Sequence, residues 1–157
     1  MTAIKTLRNL YEILYDIHKK GRLIEKIAEM KRIKTVIVGD CCSGKTMLVQ
    51  AMTQSDFKIN LPYVATVSDN IALALHFNGV DTEVGIWDTA GSEEYYQLRS
   101  LAYPDTDVVL VTFDIANPVS FENVEKKWLP EIYHAMINVP RILVGTKLGI
   151  NFVVKRQ

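Results

Sequence analysis

The octapeptide Gly39-Asp40-Cys41-Cys42-Ser43-Gly44-Lys45-Thr46 constrains the fold of this chain more than any other stretch. It fits the pattern G-x-x-x-x-G-K-[ST]. Before it, Ile33 to Val38 is a short β-branched run that reads as a buried strand ending at Gly39. After it, Ser43 to Ser55 suits a helix with Met47, Leu48 and Met52 turned inward. Strand, glycine turn and helix in that order make a seat for an anion. Glycines let the loop curl so that successive backbone N–H groups converge on a phosphate, and the helix N-terminus adds partial positive charge. In such a loop Lys45 spans the β- and γ-phosphate oxygens of a nucleotide, and the Thr46 hydroxyl can ligate Mg²⁺. A glycine-rich turn with a stray lysine would explain neither the flanking strand nor the helix.

The remaining segments supply a sheet around that loop. Ile71 to Phe77 and Thr82 to Trp87 flank Asn78-Gly79, a strong hairpin signal. Val108 to Phe113 reads as a strand buried on both faces, and Arg141 to Val144 starts another. Ser120 to Met136 is helical in pattern, with Pro130 as an interruption. Strands alternating with helices predict an α/β domain with a mostly parallel sheet covered on both sides. At 157 residues there is room for one such domain and not for two.

Composition narrows the partners. Lys+Arg and Asp+Glu both count 18, so the net charge is zero and no nucleic-acid partner is implied. No apolar run approaches the roughly 20 residues of a membrane-spanning helix. The two cysteines, Cys41 and Cys42, are adjacent and cannot support a disulfide framework, and no signal-peptide pattern precedes them. The expected compartment is reducing and cytoplasmic. The chain ends Val-Lys-Arg-Gln, without a Cys-a-a-X box for prenylation.

Downstream of the loop, Tyr63-Val64-Ala65-Thr66-Val67 is followed by Asp69-Asn70, and Asp88-Thr89-Ala90-Gly91 closes a hydrophobic strand. In this order and spacing the segments resemble the Ras superfamily of small GTPases, a P-loop NTPase domain. The resemblance implies that Asp88 supports Mg²⁺ through its water shell, that the Gly91 N–H senses the γ-phosphate, and that Thr66 completes the Mg²⁺ shell when GTP is bound. It implies GTP/GDP and Mg²⁺ as cofactors. Nucleotide contacts then fall to Gly39, Asp40, Cys41, Cys42, Ser43, Gly44, Lys45, Thr46, Phe57, Tyr63, Thr66, Asp88, Gly91, Thr146 and Lys147. Phe57 reads either as the aromatic that packs on the base or as a core residue. Three further stretches resemble the Rho branch: Trp87 to Gly91, Leu98-Arg99-Ser100-Leu101-Ala102-Tyr103-Pro104-Asp105-Thr106-Asp107, and Lys127-Trp128. Altogether the resemblance covers about residues 33 to 148.

The pattern is broken at three places. The family usually has Gly where Cys41 stands, Gln where Ser92 follows Asp-Thr-Ala-Gly, and Asp where Gly149 follows Thr146-Lys147. The glutamine orients the attacking water and a partner's arginine finger supplies much of the rest, together on the order of 10³–10⁵ in rate. Ser92 is too short to reach that water, and a side chain at Cys41 crowds the space it would occupy, so no catalytic residue is intact. The Rnd-like subgroup of Rho proteins is similar in these substitutions and in holding GTP persistently. At Gly149 the lost carboxylate would accept two charge-assisted bonds from guanine, about 3–6 kcal/mol together, or a factor of order 10²–10⁴ in affinity.

Two regions lie outside the resemblance. Residues after about 148 do not continue the pattern, so the GTPase domain of 33–157 is expected to lack its C-terminal part, as in a truncated product. Residues 1–32 form an amphipathic helical extension in which Leu7, Leu10, Tyr11, Leu14 and Ile17 recur at helix spacing. It reads as a helix packed on the domain, as a partner-binding or coiled-coil helix, or as a basic helix that places the protein peripherally on membranes. Effectors are expected to bind around Tyr63–Asn70 and Gly91–Tyr103, with exchange factors as further partners. Three functions compete: a Rho-type signalling protein with weak hydrolysis and a role in the cytoskeleton, a normally hydrolysing small GTPase, and a pseudo-GTPase that works through protein contacts.

Overall fold

The computed structural model describes residues 32–53, 66–77 and 80–148. The amino-terminal extension, Phe57, Tyr63 and Gly149 therefore lie outside the described residues. A five-stranded sheet carries the domain, in the order β2-β3-β1-β4-β5. Its strands are β1 (Arg32–Gly39), β2 (Ser68–Phe77), β3 (Val80–Thr89), β4 (Val108–Asp114) and β5 (Arg141–Thr146). β1 runs parallel to both β3 and β4, β4 is parallel to β5, and only β2 is antiparallel. The hairpin between β2 and β3 pairs Phe77 with Val80, as a two-residue Asn-Gly connection requires.

Period-two alternation sorts the strand residues onto two faces. Val36 and Val38 of β1, with Val109 and Val111 of β4, meet Val124, Trp128, Ile132 and Met136 in one cluster. Ile33 and Ile37, with Val108, Leu110, Ile142 and Val144, form the other, which includes Val49. Val36, Ile37 and Val38 are all fully buried, as befits the central strand of a sheet covered on both sides. Burying each such side chain contributes roughly 1.5–3 kcal/mol.

Helix α1 (Lys45–Thr53) begins two residues later than the sequence pattern suggests. Its fully enclosed residues are Lys45 and Val49, with Leu48 and Met52 packed beside them on the Ile37 face. Positions 45, 48, 49 and 52 share one side of a helix. Leu48 and Met52 are thus inward as expected, whereas Met47 is not among the residues packed on that cluster, and Lys45 and Val49 complete the stripe.

The long helical segment is likewise not one regular helix. α2 (Tyr96–Ser100) follows a short 3₁₀ turn at Glu93–Tyr95, and α3 (Pro118–Asn123) is capped by Asn117 accepting from the Val119 N–H. A wide π turn, Val124–Trp128, then leads into α4 (Leu129–Ala135). Pro130 accounts for the widening. In α geometry its ring would strike the carbonyl of Lys126. The chain relieves this by bonding the Leu129 N–H to the Val124 carbonyl, five residues back.

Candidate functional site

In an open α/β sheet, ligands bind beyond the carboxyl ends of the strands where the order reverses. Here that point lies at the end of β1, between β3 and β4, and the loop Gly39–Thr46 occupies it. Gly39 has φ 150°, and a Cβ there would lie 2.2 Å from Thr112 Oγ1 and 2.4 Å from the Thr112 carbonyl oxygen, so glycine is required. The loop is held from below by hydroxyls. Thr112 Oγ1 donates to the Val38 carbonyl at 3.0 Å, which leaves it to accept from Ser43 Oγ at 2.9 Å. Thr146 Oγ1 donates to the Ser43 carbonyl and to that of Phe113, so Thr146 supports the loop through its backbone.

Asp40 is tied to the helical layer by both carboxylate oxygens. Trp128 Nε1 donates to Oδ1 at 2.8 Å and Asn123 Nδ2 to Oδ2 at 2.7 Å. Neither contact was legible from local spacing, although a fully buried tryptophan needs a partner for its N–H. The π turn is what presents Trp128 to the loop.

Donors are left for an anion. The Ser43 N–H turns back to the Asp40 carbonyl at 3.1 Å. Those of Cys41, Cys42 and Gly44 have no hydrogen-bond partner among the described residues, and the first amides of α1 have none within the helix. Lys45 is 6% exposed, and its ammonium donates to the carbonyls of Gly39 (2.9 Å) and Asp40 (2.8 Å). Burial holds its pKa below the ordinary lysine value, against the pull of Asp88, Cys41 and Asp40.

The residues expected to serve Mg²⁺ meet beside the lysine. Thr46 Oγ1 donates to Asp88 Oδ2 at 2.5 Å, so the 2.7 Å contact between Thr66 and Thr46 has Thr66 as its donor. The other oxygen, Asp88 Oδ1, is buried and has no hydrogen-bond partner among the described residues. Burial pushes the Asp88 carboxyl above its ordinary value, while Thr46 and Lys45 oppose the shift. Two hydroxyls and a carboxylate with an uncommitted oxygen are hard donors, and they fit a magnesium ion. Among the described residues no group of three or more His, Cys, Asp or Glu offers a competing metal site.

Gly91 closes the site from the β3 side. A Cβ on Gly91 would fall 2.4 Å from the Cys41 nitrogen and 2.6 Å from the Gly39 carbonyl oxygen, so the two backbones are in contact. Ser92 follows, half-buried, with its carbonyl held by Arg99 Nη1 at 2.9 Å. The Arg99 guanidinium also donates to Ala90 O and, through Nε and Nη2, to both oxygens of Glu131 at 2.7 and 2.8 Å. Tyr103 donates its hydroxyl to the same Glu131. Burial and that carboxylate raise the tyrosine's pKa. Lys127 pairs with Glu93 at 2.6 Å, and Lys127 and Arg99 both lie against the Trp128 ring, at 4.4 and 4.9 Å from its centroid. Lys147, at φ 63°, is paired with Asp114 at 2.9 Å. Burial opposes the ionised Asp114, yet the bonds from Lys147 and the Ala116 N–H hold its carboxyl below the usual range.

A phosphate loop at the sheet's reversal point and a magnesium-type donor set narrow the choice to nucleotide-binding domains, and the model of the Ras family matches residues 34–156. The chain belongs to the Ras family. The match starts in β1 and extends past residue 148, where the resemblance drawn from individual motifs ended. Ras-family domains bind GTP and Mg²⁺, and the structure brings Thr66 and Asp88 to Thr46 at the end of the loop Gly39–Thr46.

Proposed function

We propose that this Ras-family chain is a Rho-type, Rnd-like signalling protein that binds GTP with Mg²⁺, hydrolyses it weakly and presents its switch segments to effector proteins. The observation that carries the reading is the meeting of Thr46, Thr66 and Asp88 beside a buried carboxylate oxygen that has no partner among the described residues. Thr66 comes from the stretch before β2 and Asp88 from the end of β3, so the nucleotide's state is coupled to two separate segments. When bound, Mg²⁺ supplies charge neutralisation for the phosphates. Thr46 and Thr66 would offer their hydroxyls to it and Asp88 would accept from its water shell. Lys45 and the free amides of Cys41, Cys42 and Gly44 would bind the phosphate oxygens.

Weak hydrolysis follows from Ser92 and Cys41. A serine side chain ends two bonds from the backbone, and the backbone here is pinned at the Ser92 carbonyl by Arg99. The Rho assignment rests on the segments around Trp87, Arg99 and Trp128. Two of those segments meet in the structure, where Arg99 lies against the Trp128 ring. Val67, Tyr95, Tyr96, Leu98 and Leu101 are exposed apolar side chains, which favours a protein partner on these segments. Cytoplasmic location and control of the cytoskeleton or cell polarity belong to the same reading.

The test is the nucleotide content of gently purified protein, read by chromatography, followed by single-turnover hydrolysis. Predominantly bound GTP with slow conversion is the expected result. Bound GDP with normal partner-stimulated turnover would select an ordinary GTPase, and no nucleotide at all would select a protein-contact role.

A further inference from the structure

Within Gly39–Thr46 every residue but two is buried or half-buried; the exceptions are Cys41 and Cys42. Neither sulfur takes part in a hydrogen bond among the described residues, and both thiols are free. Cys42 sits at φ 59°, a left-handed conformation uncommon for a side chain of its kind. The Cys41 backbone nitrogen is against Gly91. Two accessible thiols thus sit on the loop whose amides face a phosphate.

We propose that Cys41 and Cys42 form a thiol-modification site, at which a low-molecular-weight disulfide such as oxidised glutathione excludes nucleotide from the loop. This inference rests on the nucleotide-binding reading and concerns the regulation of that same site. The step is thiol–disulfide exchange. A cysteine sulfur attacks one sulfur of the disulfide, the original S–S bond breaks, a new S–S bond forms to the protein, and the departing thiolate takes up the cysteine's proton. In many dithiols the second cysteine then expels the adduct. Here the two Cα atoms are neighbours, about 3.8 Å apart across a trans peptide, below the usual span of about 4.4–6.8 Å for a disulfide. Internal closure is therefore strained, and the mixed disulfide persists. A tripeptide on either exposed sulfur crowds the approach to the amides of Cys41, Cys42 and Gly44. Linkage makes the effect reciprocal, so bound nucleotide must protect the thiols.

The experiment incubates nucleotide-free protein with oxidised glutathione. Adducts are followed by intact mass, and affinity for a fluorescent GDP analogue with Mg²⁺ is measured before and after. The expected result is a glutathionyl adduct, an affinity loss of at least about tenfold, recovery with dithiothreitol, and slower adduct formation when Mg²⁺ and GDP are present in saturating amounts. The C41S/C42S variant serves as its own reference: its affinity, whatever the starting value, is expected to be the same before and after the oxidant. Equal rates of modification with and without nucleotide, or an adduct that leaves affinity unchanged, would overturn the proposal. If unreacted protein shows no saturable binding, the nucleotide reading itself has failed and the inference falls with it. Mass spectra show in that case that the thiol chemistry was not at fault.

Discussion

Replacing Arg99 with methionine tests whether the segment after β3 is held by one buried cation. The side chain is fully buried and its partner Glu131 is 8% exposed. Arg99→Met deletes four hydrogen bonds, two to Glu131 and one each to the carbonyls of Ala90 and Ser92. It leaves Glu131 with only the Tyr103 hydroxyl among those partners. Removing one member of a buried ion pair costs about 3–5 kcal/mol, because the remaining charge has no compensation. For a chain of this length that is a drop of roughly 6–20 °C in Tm. Arg99→Met/Glu131→Leu removes both charges, so most of that penalty is expected to be absent. The Ala90 and Ser92 carbonyls stay unmet, at about 1–3 kcal/mol each if water cannot reach them. Urea unfolding of the parent, both single variants and the double variant closes the cycle, with a coupling of about 2 kcal/mol or more that changes little with salt. A loss under 1 kcal/mol for Arg99→Met, or a double variant as damaged as the sum of the singles, would refute the argument.

Three further outcomes follow from the site. The Asp88 pKa is raised by burial, so its ionised form destabilises the nucleotide-free fold. The Asp88 contribution to stability is therefore greatest below the ordinary carboxyl value and is lost as pH rises through the raised one. Asp88→Asn is expected to flatten that part of a urea-midpoint profile recorded in EDTA and to abolish thermal stabilisation by Mg²⁺ with GDP; an unchanged profile would contradict the orphan-oxygen reading. Trp128→Phe removes the indole N–H from Asp40, at a cost of about 1–3 kcal/mol, and a matching loss of nucleotide affinity in titrations would show that the helical layer positions the loop. Combining Cys41→Gly with Ser92→Gln is expected to speed single-turnover GTP hydrolysis by at least about tenfold, since both obstacles to orienting water are lifted. No acceleration would mean that hydrolysis is limited elsewhere.

The fold was largely legible because its signals are local. A β-branched run before Gly39, an Asn-Gly pair between alternating strands and a run from Val108 each predict their element from neighbouring residues alone. Helix faces were less so: Leu48 and Met52 of α1 were read as inward, but Met47 was included and Lys45, which heads the buried stripe, was not. At the site, the phosphate loop could be read directly, whereas Thr66 and Asp88 entered only through family resemblance. The structure brings both to Thr46 across 20 and 42 residues of chain. Asp40's partners were illegible, since Asn123 and Trp128 lie 83 and 88 residues away. Arg99 was likewise one charge among many in the sequence, and only burial reveals it as the clamp on Ala90 and Ser92.

The account depends on the seat formed by the loop amides and the Lys45 ammonium, and calorimetric titration of GDP into the parent and Lys45→Ala, with and without Mg²⁺, addresses it directly. The predicted result is saturable, magnesium-dependent binding to the parent. Lys45→Ala should weaken it on the order of 100-fold, the equivalent of about 3 kcal/mol from two charge-assisted phosphate contacts. Identical isotherms for the two proteins would contradict it.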